Sequence, residues 1–181
     1  MFTILREKRL LMDKVKSEST TLVKSLSIPV TNIFLYKEVG FLNEEELLEN
    51  YILQIMEENW PIKYAVILDN SNSVLVHSDL KEYGKKYSDP VSQNAQRTWE
   101  TITQQYFHSL HGQVLDASTP LAISSKRWGT LRVGFSLAPI QSRIMLLYWE
   151  IIGVTFSLIL IAFLLVNYSS KKLINPLFIL T

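Results

Sequence analysis

The stretch from Tyr64 to Asp79 reads YAVILDNSNSVLVHSD. Its first five residues, Tyr64 to Leu68, are apolar without a break, the composition of a strand buried in a sheet. Asp69, Asn70, Ser71 and Asn72 carry short polar side chains that tolerate left-handed backbone, so they read as a turn. Ser73 to His77 returns as a second apolar run. Residues 63–78 are therefore expected to form a β-hairpin.

Downstream of the hairpin the strand signal repeats. Residues 78–90 are polar, with Gly84 as a turn. Residues 91–100 suit a short helix carrying Arg97 and Trp99. Thr101 to Leu110 is β-branched or aromatic at several positions, and His111-Gly112 turns the chain. Val114 to Ser124 reads as a strand interrupted at Pro120, which implies a bulge or an edge. After a turn at Ser125-Lys126, Leu131, Val133 and Phe135 alternate with Thr130, Arg132 and Ser136, the pattern of a half-buried strand. Upstream, Asn43 has the character of an N-cap with Glu46 as its reciprocal partner, opening a helix over 43–58. Leu47, Leu48, Tyr51, Ile52, Ile55 and Met56 fall on one face of it. Asn59-Trp60-Pro61 stops it. Residues 2–27 read as one long helix ended by Pro29. Leu11, Val15, Leu22 and Leu26 form either a coiled-coil seam or a face that packs on the same domain. The expected fold class is α+β: a long N-terminal helix, a second helix and a five-stranded antiparallel sheet over 63–137, followed by one transmembrane helix.

The transmembrane assignment rests on Ile144 to Val166, IMLLYWEIIGVTFSLILIAFLLV, which holds one charge, Glu150. A bilayer core of about 30 Å needs roughly 20 helical residues, and a soluble helix of this length carries a polar face. Tyr148 and Trp149 suit one interface and Tyr168 the other, so the span is placed at 144–168. Lys171 and Lys172 favour the cytoplasmic side for the residues after 170. Arg127, Arg132 and Arg143 lie before the span, so charge alone leaves orientation open.

Composition narrows the class further. The 181 residues carry a formal net charge of +1, which gives no reason to expect nucleic acid as a partner. Without cysteine there are no disulfides, thiolate metal sites or cysteine nucleophiles. No Gly-x-Ser-x-Gly, phosphate loop or His-Glu-x-x-His occurs, so no catalytic residue is assigned and this portion is not expected to be an enzyme. His108 and His111 alone supply too few ligands for zinc. No metal and no cofactor are expected.

Two resemblances emerge from these segments. Ile174-Asn175-Pro176-Leu177-Phe178-Ile179-Leu180-Thr181, directly after the lysine pair, resembles the opening of a HAMP linker, placed at 171–181. The larger order is similar to a single Cache domain, the PAS-like extracytoplasmic sensor of bacterial receptors, over about residues 5–143, and the domain is placed at 1–143. Its pieces are two helices, the hairpin with Leu68-Asp69 and Val76-His77-Ser78-Asp79, Gly84, Asp116 to Pro120, and Trp128-Gly129-Thr130-Leu131-Arg132-Val133-Gly134. The resemblance implies a homodimer at the inner cell membrane, with the sensor domain extracytoplasmic (periplasmic). It implies a small-molecule ligand, an organic acid or amino acid, whose binding moves the membrane helix. It also implies an output through a two-component histidine kinase, with a chemoreceptor or cyclic-dinucleotide enzyme as alternatives. A membrane-anchored hydrolase and a purely structural dimerisation module are the rival readings. An extracytoplasmic domain needs an export signal, and the first residues are too charged to supply one. The expectation is a first membrane helix upstream, or else a domain that stays inside.

The pocket of such a domain lies over the inner face of the sheet. That nominates Tyr64, His77, Arg97, Trp99, Tyr106, His108 and Asp116 as ligand-binding candidates. Arg97 is either a carboxylate clamp or a surface arginine. His77 either fixes the hairpin or faces the ligand. Trp128 is either core or dimer contact. Arg97-Thr98-Trp99 matches part of the amino-acid pattern of double Cache domains, but Glu100 stands where that pattern has an aromatic, so its specificity is not carried over.

Overall fold

A computed structural model describes residues 2–38, 44–57 and 62–174. The chain falls into two compact units, Arg9–Pro139 and, separately, Met1–Lys8 with Ile140–Thr181. The first unit holds the sheet. Helix α1 spans Phe2–Glu38, so Pro29 does not end it. Proline removes one backbone hydrogen bond, the one to the carbonyl four residues earlier. Here that residue is Ser25, which lies with Pro29 on the exposed side of the helix. Val23, Leu26, Val30 and Phe34 form a buried stripe that runs through the proline. Of the expected seam only Leu26 is buried; Leu11, Val15 and Leu22 are half-buried. Phe34 stacks on Trp128 with ring centroids 6.5 Å apart, which gives Trp128 a contact within its own domain.

Helix α2 covers Glu44–Glu57. It packs against the first two strands through a face that buries Leu48, Ile52 and Ile55. Tyr51 and Met56 are half-buried, and Leu47 is exposed rather than buried. The cap expected at Asn43 and the stop at 59–61 lie outside the described residues.

Five strands complete the unit: β1 Ile62–Asp69, β2 Val74–His77, β3 Ile102–His108, β4 Gly112–Ile123 and β5 Lys126–Ser136. They form one antiparallel sheet in the order β2-β1-β5-β4-β3. At the hairpin turn Asn72 is left-handed, with φ 63°. The Asp69 carboxylate accepts from the Ser71 and Ser73 amides, both at 2.7 Å, which locks that turn. Pro120 lies beside a register irregularity between Leu121 and Ala122. β3 stops pairing at Ser118, so Pro120 has a strand on one side only.

Register sorts the side chains onto two faces. Ala65, Ile67, Leu115, Ala117, Leu131, Val133 and Phe135 share one face and are fully buried. Tyr64, Val66, Leu68, Asp116, Ser118, Thr130, Arg132 and Gly134 share the other. β5 is thus buried on both faces rather than half-buried. It is the central strand, and the second face is covered by helix α3, Pro90–Arg97, which packs against β4 and β5.

In the second unit, α4 spans Ala138–Ile174 and is long and apolar enough to cross a membrane. Val154, Phe156 and Leu158 are each more than 60% exposed, the opposite of a core helix. Lys171 and Lys172 continue this helix, and residues 175–181 lie outside the described residues.

Candidate functional site

The polar face of the sheet is organised by one buried ion pair. Asp116 on β4 and Arg132 on β5 are 0% and 3% exposed. Arg132 Nε and Nη2 donate to Asp116 Oδ2 at 3.0 and 2.9 Å. The Tyr64 hydroxyl donates to the same oxygen, and Ser118 Oγ donates to Oδ1. Burial would lower the affinity of Arg132 for its proton, but the Asp116 carboxylate more than offsets this and raises it. Burial and the Asp116 charge push the Tyr64 phenol well above its ordinary value.

The third bond of Arg132 leaves the sheet. Its Nη1 donates to Ser92 Oγ at 2.5 Å, and Ser92 Oγ donates to Asp89 Oδ2 at 2.5 Å. Asp89 is the N-cap of α3 and also accepts from the Ser92 amide. Burial alone would raise the Asp89 carboxyl, but the two bonds from Ser92 outweigh it and hold it below its usual range. The other end of α3 is held by Arg127. Its guanidinium donates to the carbonyls of Ala95, Gln96 and Thr98 at 3.0, 2.5 and 2.8 Å. A short helix with too little apolar surface to hold itself down is thus tied to β5 at both ends.

Tyr64 is the aromatic centre of the same face. Its ring covers Gly134 across the β1–β5 pair, and a Cβ at Gly134 would run into the ring. Its hydroxyl meets that of Tyr106 at 2.8 Å. All three histidines of the chain gather around it, with His77, His108 and His111 at 6.1, 5.9 and 6.5 Å between centroids. Burial lowers the His77 and His108 pKa, and the neighbouring His111 lowers His108 further. No group of three or more potential metal ligands is arranged to hold an ion among the described residues.

Five of the seven nominated residues, Tyr64, His77, Tyr106, His108 and Asp116, come together here. Arg97 and Trp99 do not. Arg97 is exposed at the end of α3, and Trp99 is 58% exposed, with its ring 5.9 Å from the Arg127 guanidinium. Sequence reasoning missed Arg132, Ser92, Asp89 and Ser118. The available signal was a charge on each of two long neighbouring strands, but alternation alone assigned Arg132 to solvent.

A shallow depression of about 190 Å³ lies on the other side of β3, lined by Gln105, Tyr106, Phe107, Gln113 and Leu137. By strand alternation Gln105 and Phe107 point away from the Tyr64 face, so this depression meets the ion-pair network only through Tyr106.

A family model described as "Single cache domain 3" matches residues 6–147. No curated protein matches the chain in sequence. The sensor domain of Escherichia coli DcuS is similar in fold at 15% identity and a TM-score of 0.57, covering 73% of this chain and 96% of that one. The ligand-binding domain of the Campylobacter jejuni chemoreceptor Tlp3, in complex with 4-methylisoleucine, matches at 16% identity and a TM-score of 0.57, covering 77% of this chain and 58% of that one. The sensor domain of the Vibrio cholerae histidine kinase DctB matches at 12% identity and 0.60, covering 77% and 56%. The chain therefore spans nearly all of the DcuS domain but little more than half of the Tlp3 and DctB domains. At these identities the likeness is one of fold.

Proposed function

The chain belongs to the single Cache domain 3 family, and from that premise we propose that it is the sensing and membrane-crossing portion of a bacterial two-component receptor. In this reading the unit Arg9–Pro139 lies outside the inner membrane and α4 crosses it. Residues after 170 enter the cytoplasm and open a HAMP linker that leads to a histidine kinase, and the receptor is a homodimer. A chemoreceptor output is the second reading, supported by the likeness to Tlp3.

The observation that carries the sensing role is the Asp116–Arg132 pair. A buried ion pair is a weak source of stability, because desolvation cancels much of its attraction. This one sits on the sheet face under a tied-down helix, with Tyr64, Tyr106, His77 and His108 beside it. A carboxylate ligand, an organic acid or amino acid, competes with Asp116 for the planar fork of Arg132. Its binding loosens the bond from Arg132 to Ser92 and so alters how α3 is held. Arg132 lies on the strand that ends at Ser136, and α4 begins at Ala138. A change in β5 thus reaches the membrane helix through one intervening residue. The ligand shifts this equilibrium only by its differential affinity for the two arrangements.

The test is a thermal-shift screen of the chain in detergent against small carboxylates, amino acids and amines. A ligand of the folded state raises the melting temperature with concentration. A dose-dependent shift that survives Arg97→Ala and is lost in Arg132→Lys supports the reading. A hit lost in Arg97→Ala instead moves the site off this face. A cooperative melt with no shift across the panel removes the small-molecule reading.

A further inference from the structure

Two of the most exposed apolar side chains among the described residues lie three positions apart at one end of the sheet. Phe107 is 75% exposed and Leu110 is 79% exposed, higher than any large apolar residue of α4 whose exposure is described. Both belong to the β3–β4 hairpin tip. Leu110 occupies the turn and Phe107 pairs with Gln113. Gly112 closes the turn with φ 70°. The turn is ordered by its histidines: His108 Nδ1 accepts from the Leu110 amide at 3.2 Å, and the His108 and His111 rings stack at 4.7 Å. A rigid turn that holds two large apolar groups outward has an unmet apolar surface.

The position of the tip indicates what meets it. The Leu137 amide donates to the Gln113 carbonyl at 3.2 Å, so the base of the tip is fastened to the last residue before α4. The chain is helical from Ala138, and the apolar run begins at Ile144. At about 1.5 Å per residue, Leu137 lies within roughly 10 Å of the first residue of that run, whatever direction the helix takes. The headgroup layer adds several ångströms outside the hydrocarbon core, and interfacial apolar groups sit about 5–10 Å into the headgroup–acyl boundary. The depression beside Phe107 has Leu137 in its lining, which again places the tip beside the residue that precedes α4.

We propose that the β3–β4 tip is a lipid contact, with Phe107 and Leu110 inserted at the headgroup–acyl boundary of the membrane that α4 crosses. This rests on the membrane reading given above. It adds a second attachment of the sensor unit to the bilayer, on strands directly bonded to the Tyr64–Asp116 face. The sensing face is then braced against the membrane through β3 and β4 as well as through β5.

The absence of cysteine makes the test direct. Single substitutions Phe107→Cys, Leu110→Cys, Ser125→Cys and Leu158→Cys are made in the full chain, spin-labelled, and reconstituted into nanodiscs of mixed zwitterionic and anionic phospholipid. Ser125 lies in the opposite turn of the sheet, about 36 Å away along β4 at roughly 3.3 Å per residue. Each label is scored by its collision rate with oxygen, which concentrates in lipid, relative to a water-soluble nickel chelate. Labels at 107 and 110 are expected to show an oxygen-to-nickel ratio severalfold above that at 125 and below that at 158. If 158 reads as lipid while 107 and 110 match 125, the lipid contact is refuted and the membrane reading stands. If 158 also reads as aqueous, both fail. Spin–spin broadening at 110 without a rise in oxygen access would assign the patch to a second copy of the chain and overturn the proposal.

Discussion

Removing Asp116 should harm the protein more than removing Arg132, and removing both should harm it less than either loss implies. In Asp116→Ala the guanidinium of Arg132, 3% exposed, loses its carboxylate and keeps its bond to Ser92 Oγ. An uncompensated buried charge of this kind costs about 3–5 kcal/mol. In Arg132→Met the carboxylate still accepts from Tyr64 and Ser118, so the loss falls at the low end of that range. In Asp116→Ala with Arg132→Met no charge remains at the pair. Tyr64 keeps Tyr106 and Ser92 keeps Asp89, which leaves the Ser118 hydroxyl as the main orphan, at about 1–3 kcal/mol. The single losses add to roughly 6–8 kcal/mol by the same estimate, so the double variant should recover several kcal/mol relative to additivity. Urea unfolding of the full chain in detergent, followed by tryptophan fluorescence, reads all three. For a chain of this size 1 kcal/mol moves the melting temperature by about 2–4 °C, so Asp116→Ala should melt roughly 6–20 °C lower. The reasoning is refuted if the two single losses add, or if Arg132→Met proves the worse of the pair.

Gly134→Ala should destabilise by about 1–3 kcal/mol because its Cβ meets the Tyr64 ring rather than a movable side-chain end, and Tyr64→Ala should relieve most of that added strain in the same urea titration. Arg127→Ala should release the carboxyl end of α3, seen as faster amide hydrogen exchange over residues 92–100 with little change in β1 or β5; unchanged exchange there would show that α3 holds itself. Stability should fall as the pH drops below 6.5, the ordinary histidine value, because burial holds the folded His77 and His108 below it and the unfolded chain takes up protons first. Each histidine contributes at most about 1.4 kcal/mol per pH unit, levelling off once the folded residue is itself protonated, and His77→Asn with His108→Asn should flatten a melting-temperature series from pH 7.5 to 5. Arg97→Ala should change stability by less than about 0.5 kcal/mol, as suits an exposed side chain.

The elements were legible where the signal is local. Tyr64 to Leu68, the Asn72 turn and the Leu131–Phe135 alternation each announce strand or turn from side-chain type alone, and the PAS-like order came from their sequence. Two readings failed because tertiary context outweighs a local rule. Pro29 sits with Ser25 on the exposed side of α1, and the buried stripe of Val23, Leu26, Val30 and Phe34 carries the helix through it. Arg132 alternates with apolar residues and so looks solvent-facing, but alternation reports which face a residue takes, not whether that face is covered. The covering element is α3, a polar helix that carries no apolar stripe to advertise a buried face beneath it. Arg97 had the chemistry of a clamp, and nothing in its neighbours told which side of eight helical residues it would take.

Arg132, the missed residue at the centre of the network, acts through partners distant in sequence, and so does Arg127. Arg132 meets Asp116 at 16 residues' separation and Ser92 at 40, and Arg127 meets the end of α3 at about 30. Such links cost chain entropy to close, so they are favourable only once the sheet has fixed both strands. The apolar face, with Val133 and Leu131 fully buried, sets a stable platform. The opposite face combines an apolar cluster of Val66, Leu68, Val74 and Val114 with one buried ion pair, and under the proposed function a competing carboxylate would change the balance of that pair. A sensor needs this asymmetry, because a fully apolar interior gives a soluble ligand nothing to exchange with. The double variant of Asp116 and Arg132 isolates the point: it should keep the fold and lose the response of the melting temperature to any carboxylate that shifts the unaltered chain.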